Sequence, residues 1–241
     1  MKDVEVKDCE DLAGYRIGDR RYLLFADTGD NDRLRSDYGI WIIEEPDPAD
    51  LDAGDTASKK SKKKKKKDER FEIDRVTGVP FVYPDGPHNC EAIGVDVSER
   101  TILLVTKEQG QRCSVYSIPL PVPADDQGNL GTPIKPYQAE HVTALNVPTI
   151  TGGAISPDGE RFVLIGRASL FEFVRRKHPD GTWEPWKTAL ERGPKVLEKP
   201  KQEQSEAVCF ARDGRSLFLS SEGKRQPIWR LPRKPASVGE K

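Results

Sequence analysis

Three glutamates stand at the same place in three widely separated stretches of the chain. Glu10 lies in DCEDLAG, Glu91 in NCEAIG and Glu206 in QSEAVC, each directly before a short apolar run. Carboxylates that converge on one point repel one another unless a cation or a set of hydrogen-bond donors lies between them. Hard oxygen ligands from separate segments suit calcium. The repeat therefore predicts a calcium site or, alternatively, structural carboxylates that accept hydrogen bonds from the backbone of neighbouring sheets.

A second cluster of oxygen ligands lies in ADTGDNDRLRSD, residues 26–37. Its candidate ligands are Asp27, Asp30 and Asn31. The spacing differs from that of an EF-hand loop, because no glutamate stands at the twelfth position. The cluster predicts either a calcium site or an Asx-rich turn whose side chains hydrogen-bond their own backbone.

Acidic residues also recur on the loops that follow the second apolar run of a unit. Glu108 lies in TKEQG and Glu222 in SSEG, and the loop that holds Asp27 occupies the same place in its own unit. We expect these loops to share one acidic face, with Lys107 as a basic group on it. Such a face is expected to bind a ligand, either directly or through a metal ion.

His88 is the histidine closest in sequence to a repeated glutamate, since it stands three residues before Glu91. It is a candidate general base of a hydrolase or, alternatively, a structural loop histidine. The sequence has no G-x-S-x-G elbow to supply a nucleophilic serine. Its four cysteines have no CxxC spacing, which argues against a zinc site.

The elements that must position these residues are short strands. Four units of apolar or alternating runs cover residues 11–46, 91–121, 141–176 and 205–232, and the third has Thr151 or Gly152 in place of the glutamate. Asp-Gly turns in SPDGER and ARDGRS predict hairpins, and only residues 184–193 predict a short helix. We therefore predict an all-β fold, a β-propeller with about four blades. A β-sandwich is the alternative, but it does not require a glutamate at the start of successive units.

The net charge of −1 conceals two regions of opposite sign. Eight lysines occupy nine positions in residues 59–67, and the rest of the chain has 31 basic residues against 40 acidic ones, a balance of −9. This acidic remainder argues against a specific nucleic-acid surface. Within a single domain spanning residues 1–241, residues 47–69 are predicted to be a disordered insertion between two blades, and residues 233–241 a flexible tail. The insertion could alternatively tether the protein to anionic polymers.

The sequence also bears on location. No stretch of about 18 apolar residues predicts a transmembrane helix, and the N-terminus has no apolar signal core. The chain as written is therefore expected in the cytoplasm.

The motifs together resemble a family of uncharacterised bacterial β-propellers. The resemblance is carried by DCEDLA, ADTGDNDRLR, HNCEAIGVD, ISPDGER and SEAVCF, which are similar to family patterns of the form DxED, GDxGDN, EAL, SPDG and EAI. It implies a propeller over almost the whole chain except residues 47–69, and it implies no settled activity.

The same resemblance implies that an N-terminal blade is lacking. Family members are often exported and usually begin with a signal peptide and a further blade. Export would then follow if an upstream start encoded that part. A missing blade leaves sheet edges unpaired, which predicts self-association.

Two functions remain open at this point. The first is a non-enzymatic binding scaffold with an acidic, calcium-binding channel face for an unknown protein or small-molecule ligand. The second is a metal-dependent hydrolase of phosphoesters or lactones. A distant architectural similarity to esterase-like phytase propellers, which bind calcium at channel carboxylates, is compatible with either.

Overall fold

The computed structural model describes residues 5–47, 75–108, 110, 112–124, 128–202 and 204–232. The predicted insertion and the predicted tail lie outside these residues, apart from Asp47. The described chain is nearly all β-structure. It forms four sheets, antiparallel except for one short parallel pairing, and one six-residue helix.

Each sheet is one blade and begins with its innermost strand. Blade 1 contains β1 (Cys9–Ile17), β2 (Arg20–Asp27), β3 (Tyr38–Glu44), β4 (Thr77–Val82) and the short β8 (Tyr137–Gln138). Blade 2 contains β5 (Cys90–Asp96), β6 (Thr101–Thr106), β7 (Cys113–Pro119) and β9 (Glu140–Leu145). Blade 3 contains β10 (Ile150–Ile155), β11 (Arg161–Gly166), β12 (Leu170–Val174) and β13 (Lys195–Leu197), with helix α1 (Trp186–Glu191) between the last two. Blade 4 contains β14 (Ser205–Phe210), β15 (Ser216–Ser221) and β16 (Trp229–Pro232).

The blades stack face to face around the innermost strands β1, β5, β10 and β14. Three apolar clusters fill the spaces between successive blades. The cluster between blades 1 and 2 includes Leu24, Phe81 and Ile93, and the one between blades 3 and 4 includes Val163 and Leu219. This arrangement of four radially stacked sheets confirms the predicted β-propeller fold.

Local sequence explains the hairpins. The Asp-Gly turns join β10 to β11 and β14 to β15, as predicted. Gly159 and Gly214 take φ values of 72° and 65° there, a left-handed conformation that a residue without Cβ adopts at little cost. The predicted helix forms at α1, inside the range 184–193.

Two predicted boundaries are wrong. Residues 141–145 were placed in the third unit, but β9 pairs with β7 and is the outer strand of blade 2. The lysine-rich stretch was predicted to separate two blades, but the strands that flank it in the sequence, β3 and β4, pair directly in blade 1. Both errors have the same cause. The sequence pattern places the end of a unit where a long connection begins, but in blades 1 and 2 an outer strand, β4 or β9, follows the long connection and still pairs with the same sheet.

Candidate functional site

One device repeats at the start of the innermost strand in all four blades. The pairing register skips a single residue there, which forms a β-bulge. The residues skipped are Glu10, Glu91, Thr151 and Glu206. Bulges re-aim a side chain away from the regular alternation of a strand. The repeated glutamate is therefore a repeated bulge residue, and the third blade carries threonine at this position.

Glu91 is the most enclosed of the three glutamates. It is buried, and its two carboxylate oxygens each lie 2.6 Å from Nζ of Lys107. The side-chain amide of Asn89 donates a further hydrogen bond of 3.0 Å to Oε1. Lys107, which the sequence placed on the acidic face, thus binds a glutamate of its own blade.

Glu10 and Glu206 lie within electrostatic range of this ion pair. Burial, followed by the charges of Glu91 and Asp8, raises the pKa of Glu10 to about 7. Burial also raises the pKa of Glu206, together with the charges of Glu222 and Glu91. The ammonium of Lys107 lowers both values but does not offset these effects. We call Glu10, Glu91, Glu206 and Lys107 the channel mouth. It holds three carboxylates and one ammonium.

The carboxylate that joins the blades is Asp11, which sequence reasoning missed. Its Oδ2 accepts hydrogen bonds from the backbone N–H of Ile93 in β5, at 2.9 Å, and of Gly153 in β10, at 3.2 Å. Its Oδ1 accepts one from the N–H of Leu12, at 2.8 Å. One side chain therefore ties the innermost strands of three blades together. Burial raises its pKa to about 7, although these three donors act in the opposite direction.

Asp27 is bound by the segment before β1 and by its own loop. It accepts hydrogen bonds from the N–H groups of Lys7 and Asp8 and from the guanidinium of Arg35. Burial acts to raise its pKa, but these hydrogen bonds prevail and lower it below the ordinary value.

Asp30 has local partners, whereas Asn31 does not. Asp30 accepts hydrogen bonds from the N–H groups of Leu34 and Arg35 and from the Tyr38 hydroxyl, and these lower its pKa against the effect of burial. Asn31 is exposed, and its Oδ1 accepts a hydrogen bond from Asn89 of the next blade's leading segment. The backbone contacts of Asp30 are those of an Asx-rich turn.

Glu108 and His88 belong to a separate network between blades 1 and 2. Glu108 forms an ion pair with Arg33 and accepts a hydrogen bond from Thr106. Its Oε1 lies 3.4 Å from Nδ1 of His88. The other ring nitrogen of His88 lies 3.1 Å from Asp85 Oδ1 and 3.0 Å from the hydroxyl of Tyr116. His88 is therefore enclosed by two carboxylates and a tyrosine, away from the Glu91–Lys107 ion pair.

The acidic loops share one end of the propeller, but their acids do not share one position. The N–H groups of Gly29, Lys107 and Glu222 each donate to the carbonyl of the residue two places before a bulged glutamate. Gly29, Lys107 and Glu222 therefore occupy equivalent positions in their blades. Asp27 and Glu108 lie at other positions of their loops. Glu222 is exposed and adds negative charge near Glu206.

The acidic side chains do not form a ready metal site. Among the described residues, no group of three or more His, Cys, Asp or Glu side chains is arranged to hold a metal ion. The physical reason lies in the partners already present, since Lys107 engages both oxygens of Glu91 and Arg35 contacts Asp27.

Comparison with known proteins gives a structural similarity only. No protein-family model matches the chain. No curated protein matches its sequence. Among solved structures, the crystal structure of TolB from Acinetobacter baumannii is similar, with 13% sequence identity and a TM-score of 0.41. The match covers 84% of this chain and 36% of the TolB chain, so the chain spans about a third of that protein's length.

The described part of the chain contains no helix that is long and apolar enough to cross a membrane. The described residues form the four sheets of a β-propeller.

Proposed function

We propose that this protein is a non-enzymatic binding scaffold whose channel mouth binds a positively charged group of a partner, such as a lysine or arginine side chain of another protein. The observation that supports it best is the binding of Lys107 by Glu91. The mouth already holds one ammonium, at 2.6 Å from two carboxylate oxygens. That contact supports the proposal, because it places an ammonium against carboxylate oxygens of the mouth.

The charge balance of the mouth supports the same conclusion. The mouth contains three carboxylates and one ammonium. Burial is the largest cause of the raised pKa of Glu10 and of Glu206, and repulsion from neighbouring carboxylates raises both pKa values further. A second cation would relieve this repulsion and lower both pKa values, so its binding should be coupled to proton release. The acidic balance of the chain outside its lysine-rich stretch would also favour the approach of a basic partner.

An organic cation suits the mouth better than calcium does. Calcium takes about six to eight oxygen ligands, whereas both oxygens of Glu91 already contact Lys107. An ammonium has three N–H donors and a guanidinium five, and Glu10 and Glu206 offer four carboxylate oxygens as acceptors.

The experiment is calorimetric titration with a short oligolysine peptide, and with the same peptide acetylated on every side chain as a neutral control. We expect the charged peptide alone to bind, with an affinity that falls as salt rises. The double variant Glu10→Gln with Glu206→Gln should lose this binding. The matched control, Asp19→Asn with Asp213→Asn, removes two charges from hairpin turns at the opposite end of the blades and should retain it. Equal binding by both variants would contradict the proposal.

A further inference from the structure

The ring of His88 lies between two carboxylates. His88 belongs to the connection between β4 and β5, and its side chain is 14% exposed. Its Nε2 lies 3.1 Å from Oδ1 of Asp85, in the same connection. Its Nδ1 lies 3.4 Å from Oε1 of Glu108, in the loop between β6 and β7. Each ring nitrogen therefore faces a carboxylate oxygen, and the two carboxylates lie on different segments of the chain.

Only the charged ring can donate to both sides. A neutral imidazole has one N–H and one lone pair, whereas an imidazolium has two N–H donors. The Tyr116 hydroxyl donates to Oδ2 of Asp85 at 2.7 Å and lies 3.0 Å from Nε2, so Nε2 has two acceptors in reach. Nδ1 is buried and makes no hydrogen bond within the described part of the chain. Its approach to Glu108 is therefore attractive when the ring is charged and repulsive when Nδ1 holds a lone pair.

The other groups around the ring do not replace either carboxylate. Those on the strands and connections packed against it are mostly aromatic: Tyr38 of β3, Tyr83 after β4, Tyr116 of β7, and His141 of β9 behind Tyr116. The Tyr38 hydroxyl accepts the backbone N–H of His88 and donates to Asp30. Arg33 contacts Oε2 of Glu108, which leaves Oε1 to Thr106 and His88.

The electrostatics of the two carboxylates agree with this geometry. Burial acts to raise the pKa of Asp85 and of Glu108, but hydrogen bonds and charged neighbours, His88 among them, prevail and lower both pKa values. Both groups are therefore held as carboxylates, the form that attracts an imidazolium.

The two sides of the His88–Glu108 contact adjoin the backbone that holds Lys107. His88 precedes Asn89, whose carbonyl accepts the N–H of Lys107 at 2.7 Å. Glu108 directly follows Lys107. A bond between His88 and Glu108 therefore reinforces the hydrogen bond between Asn89 and Lys107, and it fastens the start of the β6–β7 loop to the β4–β5 connection.

We propose that His88 is a pH-dependent latch between these two segments. Its imidazolium bridges Asp85 and Glu108 and holds the backbone of Lys107 in place, whereas the neutral ring releases Glu108. Histidine changes charge between about pH 5 and 8, so the latch is closed at the acidic end of that range and open at the basic end. The proposal concerns how the loop is held, and it does not depend on what the channel mouth binds.

The first test is a double-mutant cycle in urea unfolding, at about pH 5.5 and about pH 8. His88→Phe keeps a ring against Tyr83 but removes both nitrogens, and Glu108→Gln removes the charge. Glu10, Asp11 and the other titrating groups are common to all four chains, so the cycle isolates the His88–Glu108 contact. We expect favourable coupling of at least about fivefold in the unfolding equilibrium constant at the lower pH. At the higher pH the coupling should vanish or change sign.

A control cycle uses an exposed histidine and acid in blade 3, His178→Gln with Asp180→Asn. Solvent screens such a pair, so no coupling is expected at either pH. Coupling of the same size and sign at both pH values for His88 and Glu108, or none at the lower pH, would overturn the proposal.

The second test follows the loop itself by hydrogen exchange at the Lys107 amide. At about pH 5.5, His88→Phe should speed this exchange by at least about tenfold over the native chain, because the latch that limits local opening is lost. At about pH 8 the two chains should exchange alike. The comparison is made at equal pH, and the residues beside Lys107 are unchanged, so the intrinsic exchange rate cancels. Equal exchange in both chains at the lower pH would show that His88 does not hold the loop.

Discussion

Asp11 offers the sharpest test of how the blades are held together. Its Oδ2 accepts the N–H groups of Ile93 and Gly153, which belong to two different blades. In Asp11→Ala both N–H groups lose their acceptor at an enclosed position. Each buried donor left without a partner costs about 1–3 kcal/mol, so the two together should cost about 2–6 kcal/mol. That loss is a large share of the roughly 5–15 kcal/mol by which a domain is typically stable.

Asp11→Asn should fall between the native chain and the alanine variant. An amide oxygen in place of Oδ2 can still accept both cross-blade bonds, but the amide nitrogen cannot accept from the N–H of Leu12. Because that N–H is exposed to water, we expect a loss of about 0.5–1.5 kcal/mol for asparagine. The matched control is Asp19→Ala. Asp19 is fully exposed and contacts only Arg16 across the hairpin, so its removal should cost roughly 0–1 kcal/mol.

The assay is equilibrium unfolding in urea at neutral pH, followed by fluorescence and by circular dichroism. Coincident transitions would support a two-state analysis of the free energy of unfolding. If Asp11→Ala loses no more stability than Asp19→Ala, the carboxylate does not tie the blades together and the structural role given to it here is wrong.

Three further predictions concern stability. Burial raises the pKa of Glu10 and of Asp11 to about 7, well above their values in an unfolded chain, so the folded state holds more protons between roughly pH 4 and 7. The contribution of these two groups to stability should therefore fall as pH rises through that window, opposite to that of carboxyls with a lowered pKa such as Asp27 and Asp30. Glu10→Gln with Asp11→Asn should remove this fall from the unfolding free energy measured against pH. Arg175→Met should cost about 3–5 kcal/mol in urea unfolding, because it leaves Asp96 buried without the guanidinium that now lies 2.8 Å away. A loss below about 1 kcal/mol would show that the hydrogen bonds that Ser98, Glu99 and Trp186 donate to Asp96 are sufficient without it. Gly152→Ala should lower the melting temperature by several degrees, since a Cβ there would lie 2.5 Å from the backbone oxygen of Glu206, whereas Gly131→Ala, with open space around it, should leave it unchanged.

The sequence predicted the fold because its repeat is structural. Glu10, Glu91 and Glu206 stand out at equivalent places, and the equivalence is real because each is the bulged residue of an innermost strand. The Asp-Gly hairpins were also predictable, since their turns demand residues that tolerate positive φ.

Long-range contacts were beyond the sequence. Asp11 adjoins Glu10 in the chain, but nothing local shows that its carboxylate reaches two other blades. The sequence placed Lys107 near the acidic residues, but it did not show that Lys107 forms an ion pair with Glu91. That contact depends on how the loop between β6 and β7 lies against Glu91. The outer strands β4 and β9 were missed or misplaced for a related reason, because each pairs with its blade only after a long connection.

The central proposal is that the channel mouth binds an organic cation. The direct measurement is thermal unfolding in EDTA with increasing oligolysine peptide, alongside a separate titration with calcium in EDTA-free buffer. A ligand that binds only the folded chain raises the melting temperature, with about 2.7 kcal/mol of stabilisation at a hundred times the dissociation constant. We predict a saturable rise with the peptide, none with its acetylated form, and none in the Glu10→Gln, Glu206→Gln variant. A saturable rise with calcium and none with the peptide would contradict the claim and return the mouth to the role of a metal site.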